Sequence, residues 1–299
     1  QKSFVRLATY VALFPQLIAG PIVRYTTVEE ELSHRTHSFE KFSKGATRFI
    51  IGLGKKVLIA DTLGAMARTM KGMDDISVAA YWLYAIAVSL QLYFDFSGYS
   101  DMAIGLGRIF GFNFLENFNY PFISKSIAEF WRRWHMSLGT WFRDYVYIPM
   151  GGNRVPRLRW LWNTLTVWML TGFWHGADWT FIIWGALHGA AQVMERLAGR
   201  KTERILKFLR WCVTFAFINV AWVFFRAPDA ASALTLLSHA VTGGMPGYSG
   251  WLVDGVFASE VSAVKILFPA LTPWCSELVL AVLLTGGMIT VLWPRNTAD

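Results

Sequence analysis

An all-α protein that crosses a membrane several times is the fold class the sequence predicts, and three observations predict it. Apolar runs recur along the chain, at residues 4–23, 46–66, 78–97, 160–174, 178–194, 211–226 and 277–293. Each is at or somewhat below the roughly 20 residues that a helix needs to cross a bilayer. Of 299 residues, 54% are hydrophobic and 16% aromatic, against only 16% charged, too few charges for the surface of a water-soluble domain. The formal charge of +8 is gathered in clusters between the apolar runs, as in the cytoplasmic loops of membrane proteins. That placement argues for a lipid bilayer as the surrounding medium and against a nucleic-acid partner.

The stretch from Arg24 to Lys56 holds a basic cluster of Arg35, Lys41, Lys44, Arg48 and Lys55. The run at 78–97 ends in QLYFDFSGYSD, which leaves Asp95 at the end of a span. Residues 98–155 mix apolar residues with Asp101, Arg108, Asn113, Glu116, Asn117 and Asn119. There, Ser126 followed by Glu129 fits a capping box and starts a helix near Ile127. Trp131, Trp134, His135, Leu138, Trp141 and Phe142 recur along it at helical spacing, and Arg132, Arg133, Arg143 and Asp144 supply charge. One amphipathic, tryptophan-rich helix is expected, ended by the turn at Pro149 and MGGN, and suited to an interface or to the lining of a polar cavity.

Arg154, Arg157 and Arg159 precede a hairpin made of the runs 160–174 and 178–194; Arg196, Arg200, Lys201, Arg204, Lys207 and Arg210 follow it. The positive-inside rule puts these clusters in the cytoplasm and residues 227–275 outside. His175 then sits at a tight outer connection. Short, glycine-interrupted runs imply helices that are tilted, broken or re-entrant. No linker or repeat divides the chain, so residues 1–299 read as one integral-membrane domain. The start at Gln1, without a signal peptide, is expected of a segment of a longer protein. Cys212 and Cys275 lie within or beside apolar runs and offer neither a disulfide framework nor a zinc spacing, and no metal site is expected.

Ionisable residues inside a membrane are costly, and those that face a cavity point to function. His175, in TGFWHGADWTFIIWGALHGA, either closes the hairpin by bonding a backbone carbonyl or acts as a general acid or base, since an imidazole exchanges protons near neutral pH. Phe173, Trp174 and Trp179 would keep such a site dry, and Gly172 and Gly176 admit close approach. His135 is either an aromatic on an amphipathic face or a second polar group at the same cavity. Asp178 can meet both histidines only in space. His188 reads as a packing histidine, and Asp95 as the partner of an arginine or a cap on backbone amides. No nucleophile elbow, phosphate loop or dinucleotide fingerprint is present. Broken helices with internal charge also describe a transporter, or an acyl-group channel with no chemistry of its own.

Four segments carry a resemblance: FPQLIAGPIVRY, QLYFDFSGYSDMAIGLGRIFGFNFLENFNYPF, EFWRRWHMSLGTWFRDYVYIPMGGNR and TGFWHGADWTFIIWGALHG. In this order, over residues 12 to about 195, they are similar to the membrane-bound O-acyltransferase family, and most of all to its branch of bacterial alginate O-acetyltransferases. The resemblance implies a multi-helix membrane fold around a central funnel or tunnel, in the bacterial inner membrane. It implies acetyl transfer from a cytoplasmic donor, acetyl-CoA, across the membrane, with no bound cofactor. Exported or cell-surface polysaccharide is the implied acceptor, reached through a secreted or periplasmic hydrolase-like partner protein; a teichoic acid or protein hydroxyl is the alternative. The family's two histidines fall on His175, as general base or in thiol departure, and on His135, as a holder of substrate or of the oxyanion. Asp95, Trp174, Asp178 and Arg132 would support them or line the tunnel. Family members extend further at the N terminus, so this chain is expected to lack helices there.

Overall fold

A computed structural model describes residues 3–17, 20–71, 78–199 and 207–242, and the expected span at 277–293 and Cys275 lie outside them. The described residues are helical, without strands. Phe4–Val11 forms α1, and a 3-10 turn follows at Phe14–Gln16. The expected first span is therefore not one helix. Pro15, whose missing N–H leaves an unpaired carbonyl in any longer helix, sits at the start of that turn, and a second proline follows at Pro21. Two single-turn helices, α2 (Tyr25–Val28) and α3 (Glu31–His34), precede α4 (Phe39–Gly54). A π-helical turn at Lys55–Ala60 joins α4 to α5 (Asp61–Lys71).

The 32-residue α6 (Val78–Ile109) is the axis of the fold. It lies antiparallel to α4, and glycines set the separation. A methyl group on Gly52 would lie 2.6 Å from the carbonyl oxygen of Gly98, and one on Gly45 would lie 2.6 Å from that of Gly105. Such close approach is a membrane-helix device, in which small residues let backbones pack directly. Gly98→Ala is expected to force the helices apart at a cost of roughly 1–3 kcal/mol, measured as an earlier thermal loss of the folded protein in detergent.

The same face carries charge. Arg48, 4% exposed, donates to Asp101 of α6 at 2.8 and 3.1 Å and to Glu116 in the following loop. Lys55 bonds the other oxygen of Asp101 at 2.6 Å, and Lys56 pairs with Asp95. The wider π turn turns both neighbouring lysines toward α6. Asp95 thus takes a lysine where an arginine or backbone amides were expected.

After α6 the chain runs through residues 110–120 to a 3-10 turn at Pro121–Ile123, then to α7 (Ile127–Arg133) and α8 (Met136–Phe142). A second π turn at Arg143–Tyr147 leads toward the hairpin of α9 (Arg157–His175) and α10 (Trp179–Ala198); α11 (Lys207–Arg226) and α12 (Ala230–Thr242) close the set. Gly172 and Gly185 bring α9 and α10 together, each facing a backbone carbonyl of its partner helix. Among the described residues, one helix, α11, is by itself long and apolar enough to cross a membrane. The outer surface bears Phe4, Phe39, Trp162 and Phe208, all exposed, as a lipid-facing surface requires.

Candidate active site

The expected single helix is broken at His135. Trp134 is extended (φ −106°, ψ 129°), and His135 adopts the left-handed conformation (φ 46°) before α8 begins. The cause lies in the loop after α6. The Asn119 N–H donates to the Arg133 carbonyl at 2.9 Å, and the Met136 N–H donates to the Asn117 carbonyl at 2.9 Å. These bonds take backbone groups that a continuous helix would use itself. The capping box expected at Ser126 is half formed: Ser126 accepts from the Glu129 N–H at 3.0 Å, while the Glu129 carboxylate reaches one residue further back, to the Lys125 N–H at 3.0 Å. A left-handed, non-glycine residue at a cavity is the kind of local strain that accompanies a functional site.

His135 is buried and lines a cavity of about 1070 Å³. One wall is α9, from Trp160 through Thr164 and Trp168 to Thr171, a climb of about 16 Å at the helical rise. His135 lies toward the Thr171 end, because its ring meets Trp174, one turn above Thr171 (6.2 Å between centroids), and the edge of Phe96 (4.7 Å). The lining also carries Lys125, Arg132, Arg143, Arg196 and Arg210, with Arg196 at the Trp160 end. Their charges are unequally free. Arg143 bonds Asp144 at 2.7 Å, and Arg24 reaches the same carboxylate at 2.8 Å. Together the two guanidiniums hold that carboxyl down at about 2, so Arg143 stays compensated at neutral pH. Arg196 stacks on Trp160, 4.2 Å from the ring centroid. Glu195, the acidic residue of the lining, is engaged by the N–H groups of Ile127 and Ala128 at 2.6 and 3.1 Å. No ion pair with Lys125, Arg132 or Arg210 occurs among the described residues.

His175 ends α9, and Gly176 to Asp178 make the tight connection to α10. Its ring lies among Trp174, Phe181, Trp184 and Phe225, with centroids 4.9 to 6.5 Å away. Phe173, Trp174 and Trp179, expected to shield it, are all exposed, although the Trp174 ring still touches it. His175 does not line the cavity; Trp174 touches both imidazoles, His135 on the cavity side and His175 beyond it. Of the other expected residues, Arg132 lines the cavity. Asp178 is exposed at the N-cap of α10, and Asp95 is held by Lys56 and Gln91, so neither reaches the cavity. His188 is fully buried between Trp131, Trp168, Trp184 and Phe217, and its Nδ1 accepts from the Trp131 indole N–H at 3.1 Å, so it supports a cavity wall from behind.

Sequence reasoning did not assign Asn117, Ser137 or Glu195 to this site. Asn117 carried a usable signal: an amide in an apolar, aromatic stretch must find buried partners.

A family model described as "MBOAT, membrane-bound O-acyltransferase family" matches residues 2–231. The chain is 45% identical to the probable alginate O-acetylase AlgI of Azotobacter vinelandii over 266 residues, 89% of this chain and 52% of that protein. It is 44% identical to the peptidoglycan O-acetyltransferase of Helicobacter pylori over 259 residues, 83% of this chain and 48% of that protein. It is 31% identical to the teichoic acid D-alanyltransferase of Bacillus subtilis over 232 residues, 73% of this chain and 58% of that protein. The chain spans about half the length of the curated relatives it matches.

Proposed function

The chain belongs to the membrane-bound O-acyltransferase family, and from that premise we propose that it transfers an acetyl group from a cytoplasmic thioester donor toward hydroxyls of an exported or cell-surface polysaccharide. One observation carries this reading: a buried imidazole, His135, lines the same cavity as Lys125, Arg132 and Arg210, cations without carboxylate partners among the described residues. The positive-inside rule favours a cytoplasmic position for the cluster that includes Arg196 and Arg210. Acetyl-CoA suits the cavity, because its phosphates match Lys125, Arg132 and Arg210 while its thioester reaches inward. The acceptor approaches past His175, delivered by a secreted or periplasmic partner. No resident cofactor enters this account.

The chemistry needs one proton relay. As the acceptor oxygen attacks the thioester carbonyl, its proton passes to His135 Nε2. The C–S bond then breaks, and the departing sulfur takes the proton back. His175, whose ring nitrogens have no hydrogen-bond partner among the described residues, is free to hold the acceptor hydroxyl with either nitrogen. The hydrogen bonds thus favour exchanging the roles expected from sequence, with His135 as the base. In proteoliposomes holding the full-length protein, labelled acetyl from acetyl-CoA should appear as ester on added polysaccharide together with the partner. Release of free thiol without ester, or no thiol release at all, would count against the proposal. Arg132→Gln and Arg210→Gln should each raise the donor's KM roughly tenfold at unchanged kcat, since a charged hydrogen bond contributes about 1.5 kcal/mol. Added salt should raise the wild-type KM in the same direction.

A further inference from the structure

We infer that Asn117 is a positioning residue that fixes the tautomer of His135. The Asn117 side-chain oxygen accepts from the Ser137 N–H at 3.2 Å and the Ser137 hydroxyl at 2.9 Å, and lies 3.1 Å from His135 Nδ1. A backbone N–H can only donate, so the atom facing Ser137 is the oxygen and not the amide nitrogen. The amide nitrogen points the other way and donates to the Ser100 hydroxyl at 3.1 Å. An oxygen can only accept, so Nδ1 of His135 must carry the proton. In the neutral ring Nε2 is then bare, an acceptor and not a donor. Ser137 does not compete for Nδ1: it is 3.5 Å away, its proton goes to Asn117, and its oxygen accepts from the Ile22 N–H at 3.0 Å.

The splint is itself held. Glu116, next in sequence, is bound by Arg48, and Asn119 is tied to the Arg133 carbonyl. Asn117, Ser137 and His135 are all buried, so water does not replace a lost partner freely. A neighbour that sets the tautomer of a catalytic histidine controls its proton transfer without touching substrate. The kinetic consequence rests on the acetyl-transfer reading, whereas the tautomer itself does not.

Histidine-selective 15N NMR of the full-length protein in lipid nanodiscs tests the tautomer directly, with the His135 signals assigned by their disappearance in His135→Gln. The wild type should show a protonated Nδ1 and a bare Nε2. Asn117→Asp keeps an acceptor and should preserve this pattern, while Asn117→Leu should lose it. In proteoliposomes Asn117→Leu should lower kcat about 100-fold or more with little change in the donor's KM, and Asn117→Asp should restore most of it. A protonated Nε2 in the wild type, or the same pattern in Asn117→Leu, would overturn the inference. So would a Leu variant that loses kcat no more than the Asp variant. If the wild type transfers no acetyl but its NMR pattern depends on Asn117, the functional reading fails and the positioning role stands.

Discussion

His135→Gln removes acetyl transfer, with kcat falling roughly 10²- to 10⁴-fold, while the protein stays folded and inserted. Glutamine keeps much of the volume and can still bond Asn117, so the cavity wall is preserved, yet an amide takes up no proton at neutral pH. The measurement is the rate of thiol release from acetyl-CoA in the presence of acceptor, in proteoliposomes with matched protein content. Binding of the donor should persist, because the cavity's cations Lys125, Arg132 and Arg210 are unchanged. A transporter or passive acyl channel would tolerate the same change, since a wall of similar size remains.

Arg48→Met is the second large effect, and it acts on stability. Arg48 is almost fully buried between Asp101 and Glu116. Removing the guanidinium leaves the buried Asp101 to Lys55 alone and takes the cation from Glu116, whose side chain is about a third exposed; losing these charged hydrogen bonds costs roughly 1.5–3 kcal/mol. The folded fraction in detergent should fall accordingly. The double change Arg48→Met with Glu116→Gln should recover part of the loss, because the stranded charge goes with its partner. Full recovery of acetyl transfer is not expected, since Glu116 anchors the loop that carries Asn117.

Much of this was legible in the sequence. The helical class, the tight α9–α10 hairpin with His175 at its tip and the start of α7 at Ile127 follow from hydrophobic periodicity and one capping residue, which are local signals. The break at His135 was not legible. Trp131, Trp134 and Leu138 keep helical spacing through it, and the bonds that interrupt the helix come from Asn117 and Asn119, a separate loop. The same limit applies to Asp95 and Asp101: their charge stood out, but the π turn that aims Lys55 and Lys56 at them adds one residue to a turn and leaves no trace in composition. Asp178 shows the converse. Its nearness to His175 along the chain suggested a shared site, yet the first turn of α10 points it to solvent. For the cavity, the cationic residues could be named from sequence, but which of them are free depends on Asp144, Trp160 and the N–H groups of α7, partners fixed only by the fold.

The most direct test of the histidine-centred transfer is acetate ester on exported polysaccharide from cells lacking their own acetyltransferase, supplied with the full-length protein as wild type, His135→Gln or His175→Gln, with insertion verified for each. The predicted result is ester with the wild type, its loss in His135→Gln and a smaller yield in His175→Gln. Equal ester from all three inserted proteins would contradict the account, because the cavity would then be a passage whose imidazoles do no chemistry.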